Sequence, residues 1–285
     1  MSKCVGVLYI CTGPYSIFWK DFYISFEKNF IKNYKKKYFV FTDAHQIYGE
    51  NSKNVRIISI KNLPWPLITL LRFSLFLSIE QELKDCDYLM FSNANMICGN
   101  EVLPDEFLPS ESEILSVVQH PGYINSKKYN FPYERNKKSK AYIPWSCGNI
   151  YVIGAMYCGT RDSFLEMSRK LCYRINEDLK NNYIAKWHDE SHLNRYILGK
   201  NVRVLSPVYC YPYGVPLKYQ KKIYAVSKQD KFDVRSFKGQ YVRRKRNFLL
   251  FLSMINNKIK FKNYFLYILD KLKLTKIKEE FDDKQ

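Results

Sequence analysis

The sequence predicts an α/β fold in which helices flank a mostly parallel sheet. Two observations carry this. Apolar runs of strand length recur along residues 3–157 and alternate with longer stretches of helical periodicity. Several runs end in small or polar residues, at Cys11-Thr12, Asp43, Asn93-Ala94-Asn95 and His120. In such sheets ligands gather beyond the carboxyl ends of the strands.

The elements follow in order. Residues 3–11 read as a buried strand and Thr12-Gly13-Pro14 as a turn. Residues 17–33 read as a helix whose Phe18, Phe22, Phe26 and Phe30 recur every four positions, a stripe that belongs to the core. Strands are expected over 37–42 and 55–60. After Pro64-Trp65-Pro66 comes one long helix over 67–83, with Arg72 inside it. Strands over 87–92 and 114–119 follow, then a polar, turn-rich stretch over 123–147. A strand over 150–157 leads through Cys158-Gly159 into a helix over 162–181.

The length of 285 residues allows one large domain or two small ones. The 24 Tyr and 19 Phe exclude a disordered chain. Eight cysteines are scattered without a CxxC pair, as expected of reduced, buried thiols in a cytosolic protein. Met1-Ser2-Lys3 runs straight into Cys4-Val5-Gly6-Val7-Leu8-Tyr9-Ile10, too short for a secretory signal, and no apolar run reaches transmembrane length. The net charge of +19 calls for an anionic partner: nucleic acid, an anionic membrane surface or a nucleotide-bearing substrate.

The texture changes after residue 235. Residues 236–285 carry thirteen Lys or Arg against five Asp or Glu. Arg243-Arg244-Lys245-Arg246 precedes Phe248-Leu249-Leu250-Phe251-Leu252, and Tyr264-Phe265-Leu266-Tyr267-Ile268-Leu269 follows between lysines. Basic clusters beside Phe- and Leu-rich helical segments describe a tail lying on an anionic leaflet. The alternatives are a helix packed on the body and a nucleic-acid contact. The expected division is a body over 1–235 and a basic, amphipathic helical tail over 236–285.

One stretch concentrates chemistry: Trp187-His188-Asp189-Glu190-Ser191-His192. Leu193, Tyr196 and Ile197 then take helical spacing, and Gly199 stands where a C-cap belongs. Trp187 and His188 therefore fall in a loop, and Asp189 and Glu190 in the first helical turn. Near free N–H groups and the positive helix end, these carboxylates should be held ionised. Three readings compete. Asp189 is an ordinary N-cap; His188 and His192 bind zinc at i, i+4, although Glu190 falls one position late for the zinc-protease pattern; or the carboxylates serve group transfer under Trp187, with Glu190 facing a developing positive charge.

Asn93 and Asn95 stand two residues apart directly after a buried strand, so both reach one ligand. A divalent ion prefers carboxylates there. With two amides, the charge of a diphosphate falls to Arg72, a C-terminal lysine and backbone N–H groups.

Several segments together resemble glycosyltransferase family 6, the family of the blood-group A and B transferases and the α1,3-galactosyltransferases. They are Tyr38-Phe39-Val40-Phe41-Thr42-Asp43, Asp87-Tyr88-Leu89 before Asn93-Ala94-Asn95, His120-Pro121-Gly122-Tyr123, Tyr133-Glu134-Arg135, Ala141-Tyr142-Ile143-Pro144, Trp187 through Asn194, and Leu205-Ser206-Pro207. The bacterial branch resembles the chain most, because it carries Asn-X-Asn where animal members carry Asp-X-Asp. The resemblance implies the GT-A fold, a Rossmann-like sheet flanked by helices. It implies transfer of galactose or N-acetylgalactosamine from a UDP-sugar to O3 of a galactose, fucosylated in many relatives, with retention.

By the same resemblance Ile10, Cys11, Thr12 and Tyr15 would line the uridine, and Arg72 would hold the donor. Asn93 and Asn95 would face the diphosphate and ribose, and Asp189 the donor-sugar hydroxyls. Gly154 and Ala155 lie in the donor-selecting segment, His120 and Trp187 would contact the acceptor, and Glu190 would be the catalytic carboxylate. Lys228 would close over the diphosphate. Asn-X-Asn leads us to expect no metal and turnover without Mn²⁺. The Ala155 methyl crowds an N-acetyl group and leans to galactose, whereas Gly122 is the residue of the N-acetylgalactosamine enzymes. The expected partners are the UDP-sugar, a fucosylated galactoside or lipid-linked oligosaccharide, and an anionic membrane surface, with no nucleic acid. The expected location is cytoplasmic, on the inner face of the membrane. The rival is a basic membrane- or nucleic-acid-binding protein without chemistry.

Overall fold

A computed structural model of the chain describes residues 2–233. The expected tail, residues 236–285, lies outside them. Among the described residues no helix is long and apolar enough to cross a membrane.

The strands are β1 (Cys4–Ile10), β2 (Lys35–Thr42), β3 (Val55–Ser59), β4 (Tyr88–Ser92), β5 (Met96–Cys98), β6 (Leu115–Gln119), β7 (Val152–Thr160), β8 (Arg203–Leu205) and β9 (Ile223–Ala225). Seven form one sheet in the order β3-β2-β1-β4-β7-β6-β8, and β5 pairs with β9. The pairs β1·β2, β2·β3, β1·β4 and β6·β8 are parallel; β7 runs antiparallel to both β4 and β6. The chain leaves β1 to one side for β2 and β3, then returns to its other side as β4. In such sheets ligands bind where the connections part, here beyond the carboxyl ends of β1 and β4. Cys11-Thr12 and Asn93-Ala94-Asn95 follow those two ends.

The helices are α1 (Trp19–Asn29), α2 (Leu67–Leu70), α3 (Arg72–Ser78), α4 (Pro104–Phe107), α5 (Arg161–Lys180) and α6 (His188–Ile197). They cover both faces of the sheet, because β1 alternates. Val5, Val7 and Tyr9 pack with Trp19, Phe22 and Phe26 of α1, whereas Cys4 and Leu8 join the core with Phe73, Phe76, Phe164 and Leu193. The phenylalanine stripe is core, as its spacing predicts.

Two helices depart from the sequence pattern. The first begins only at Trp19, after a 3-10 segment Gly13–Phe18, and stops at Asn29 because Ile31 turns with φ of +40°. The stretch expected as one helix over 67–83 is α2, α3 and a 3-10 turn Glu80–Leu83, interrupted at Leu71 and Ile79. Apolar periodicity continues through both interruptions, so the pattern alone hides them. Strands β5, β8 and β9 have three residues each, too short to show a period.

Candidate active site

Helix α6 presents Asp189 and Glu190 to β7 from its first turn. Asn194, one turn later, bolts the two elements together. Its side-chain oxygen accepts from Val152 N at 3.0 Å, and its amide donates to Val152 O and Glu190 O, each at 2.9 Å. Gly154 lets them approach: a Cβ there would lie 3.0 Å from Glu190 Cβ and 3.2 Å from Asp189 Oδ2. Gly199 closes the helix with φ of +76°, the left-handed geometry expected just past a helix end.

Both Glu190 oxygens are fixed. Oε1 accepts from the Tyr151 hydroxyl at 2.6 Å and Oε2 from Gly154 N at 2.8 Å. Burial pushes the Glu190 carboxyl up to about 7 against these two hydrogen bonds, with Asp189 adding to the rise and Arg72 opposing it. The helix-end argument expected an ionised group; desolvation outweighs a helix-end effect that is about 1 kcal/mol where exposed. Asp189 is 7% exposed, and its Oδ2 lies 3.0 Å from Arg72 Nη1. Burial raises its carboxyl too, with Arg72 opposing.

Arg72 stands at the start of α3, 6% exposed. Its guanidinium lies 4.3 Å over the Phe91 ring and donates to Gly154 O at 3.2 Å. It therefore braces Asp189 from a buried position. Asp189 is not the N-cap; Trp187 occupies that position, and its N–H donates to Ser191 Oγ at 3.0 Å. The two imidazoles part. His192 is buried 3.5 Å from Asp178 Oδ2, with burial lowering its pKa to about 3, while the His188 ring sits 4.4 Å from that of Trp65. His188 takes φ of +52°, a strained left-handed backbone directly before the carboxylates.

A second group gathers beyond β1 and β4. Asn93 N–H donates to Ala155 O at 2.8 Å, which ties the Asn-X-Asn turn to β7. The Asn95 side chain donates to Val226 O at 2.8 Å, and Val226 N–H returns a bond to Asn95 O at 2.9 Å. That pair pins the segment after β9. Lys228 follows, its ammonium 5.3 Å over the Tyr15 ring, and Phe232 meets Tyr15 edge-on at 5.3 Å. Tyr15, Asn95 and Lys228 thus come to one place from three distant parts of the chain.

The other expected uridine residues are more enclosed. Cys11 is wholly buried, its N–H spent on Phe41 O and its carbonyl on Thr42 Oγ1, and burial pushes its thiol up to about 12. Thr12 is also buried, and Ile10 packs against the core. Asp43 holds the turn after β1, accepting from Gly13 N at 2.8 Å. On the far side, His120 Nδ1 accepts from Gly122 N at 3.0 Å, and its ring is 5.6 Å from that of Tyr151. Its neutral ring therefore keeps a proton on Nε2. Trp187 is 46% exposed at the rim.

The Asn-X-Asn pair offers amides where hard cations select carboxylates, and among the described residues no group of three or more His, Cys, Asp or Glu side chains could hold an ion. Sequence patterns did not reveal Tyr151 as a partner of Glu190, nor Gly154 as the point of closest approach. Gly154 lies in the apolar strand β7 and Tyr151 directly before it, and the composition there gives no hint of the carboxylate opposite.

A mostly parallel sheet with β7 antiparallel beside β4, and with a buried carboxylate pair and an amide turn beyond its central strands, has the architecture of a GT-A glycosyltransferase. The comparisons make the family definite. The chain belongs to glycosyltransferase family 6, whose model matches residues 1–236, and it is a hexosyltransferase. It is 39% identical over 208 residues to the O-antigen biosynthesis glycosyltransferase WbnI of Escherichia coli, covering 73% of this chain and 88% of that one. It is 31% identical to the rat histo-blood group ABO system transferase 2 and 32% identical to the chicken globoside alpha-1,3-N-acetylgalactosaminyltransferase 1. These alignments span 73% of this chain, and 63% and 62% of the two relatives.

Proposed function

We propose that the chain is a retaining transferase that moves galactose or N-acetylgalactosamine from a UDP-sugar to O3 of a galactose, in α1,3 linkage. The observation that carries this is Glu190, buried and held at both oxygens beside the Arg72–Asp189 pair. As the bond from the anomeric carbon to the diphosphate oxygen breaks, positive charge builds on the sugar and negative charge on UDP. Ionised Glu190 faces the first charge. Lys228, held near Tyr15, faces the second. Asp189, braced by Arg72, receives donor-sugar hydroxyls, and His120 and Trp187 receive the acceptor. The acceptor oxygen bonds to the anomeric carbon on the face UDP leaves, and the hydroxyl proton departs with the diphosphate.

The name of the chicken relative supports N-acetylgalactosamine as donor, whereas Ala155 leans to galactose for the steric reason given above. The amides at 93 and 95 support turnover without divalent metal. The test is UDP release from UDP-galactose and from UDP-N-acetylgalactosamine, with a fucosylated galactoside, in EDTA. Acceptor-dependent release with one donor is expected. No release with either donor, with Mn²⁺ or without, together with no thermal protection by UDP, sinks the proposal in favour of a binding protein.

The basic composition of residues 236–285 supports attachment to the inner face of the cytoplasmic membrane, where lipid-linked glycans would serve as acceptors. Deleting those residues is expected to move the protein to the soluble fraction and leave activity on a soluble oligosaccharide intact. Truncated protein that still pellets with membranes overturns the attachment.

A further inference from the structure

We infer that Trp145, backed by Arg135, is a stacking plate for an acceptor sugar beyond the galactose that receives the transfer. The inference rests on the transferase reading above. Trp145 is 63% exposed, the most exposed large apolar side chain among the described residues.

This indole is also held. The Arg135 guanidinium lies 4.3 Å over its ring and 5.0 Å over that of Tyr133. Arg135 Nη1 donates to Ile143 O at 2.7 Å and to Pro144 O, the residue before Trp145, at 2.6 Å. Its Nε and Nη2 are buried and have no hydrogen-bond partner. A cation that leaves two donors unsatisfied to remain between two rings is placed for the stack, not for its own hydrogen bonding. One indole face is thereby covered, and the other is turned to solvent in a fixed orientation. A fixed plate loses little rotamer freedom when a ligand lands on it. The electron-rich ring face suits the C–H face of a pyranose.

The plate is joined to the site on the acceptor side. Tyr133 and Tyr151 rings lie 5.5 Å apart, and the Tyr151 hydroxyl holds Glu190 at 2.6 Å. Glu134, between the two stacking residues, accepts from Lys186 N at 2.7 Å, immediately before Trp187. Contacts therefore run from Glu190 through Tyr151, Tyr133 and Arg135 to Trp145, away from the Tyr15, Asn95 and Lys228 group. The galactose at Glu190 accepts through its own O3, so the rest of the acceptor extends outward from it. This track gives that remainder a surface.

The experiment compares wild type, Trp145→Ala and Trp145→Phe in the full chain. The acceptors are the methyl glycoside of fucosylated galactose and the same disaccharide extended by two sugars at its reducing end. Trp145→Ala is expected to raise KM for the extended acceptor about tenfold, equivalent to about 1.4 kcal/mol. It should leave kcat and the KM of the short acceptor within about twofold, an energy difference under 0.5 kcal/mol by the same conversion. Trp145→Phe should restore most of the loss. Equal effects on both acceptors, or none on the extended one, overturn the subsite while the transferase reading stands. Absence of UDP release by the wild type with either acceptor and either donor removes the transferase reading and this inference with it.

Discussion

Replacing Glu190 with glutamine is expected to lower transfer by about a thousandfold or more while UDP still protects the protein thermally. The amide keeps the shape and loses the charge that faces the oxocarbenium-like sugar, an electrostatic contribution of roughly this size in buried sites. The pH profile gives an independent check. The wild-type rate should fall as pH drops through about 7, where Glu190 takes up its proton. The residual rate of Glu190→Gln should not show that limb.

Stability should run the opposite way. The folded-state pKa is raised from 4.5 to about 7, so between those values the folded protein binds a proton that the unfolded chain does not. Stability present at low pH is lost as pH rises through the window, by on the order of 3 kcal/mol. Glu190→Gln cannot ionise, so it should melt higher than wild type at pH 8 and close to it at pH 4.5. A mutant within tenfold of wild-type activity, or one that melts lower at pH 8, removes Glu190 from its assigned part.

The second large effect belongs to Arg72 and Asp189. The pair is buried, and removing either partner strands a charge in the core. Asp189→Ala and Arg72→Met should each cost about 3–5 kcal/mol. The double change Arg72→Met with Asp189→Leu should recover much of that stability, because the desolvation cost of both charges disappears. Transfer should stay lost in the double variant, because the sugar-facing carboxylate is gone. Denaturant melts separate the cases: single variants less than about 1 kcal/mol below wild type would mean the pair is not energetically buried. A double variant that regains transfer would remove Asp189 from the donor site.

The sequence carried the frame and the family well. Strands of five residues or more were legible because apolar runs of that length show their pattern, and the four-residue phenylalanine spacing marked the core face of α1. The stretch from Trp187 to Asn194 was legible because scarce residue types crowd into eight positions. Less was legible where two distant segments decide an outcome together. Breaks at Leu71 and Ile79 leave the apolar period intact, and the antiparallel direction of β7 has no mark in its own residues.

By itself, then, the sequence determined the α/β class, the family motifs and the identity of the carboxylates, because each is written in local pattern. The tertiary structure alone decided that Tyr151 and Gly154 hold Glu190, that Arg72 supports Asp189 from a buried position, and that Asn95 pins the segment bearing Lys228. It also decided that the Glu190 carboxyl is raised and not lowered. A helix end favours the ionised form from within one element, but desolvation is set by everything packed around the group, and burial against β7 outweighs it.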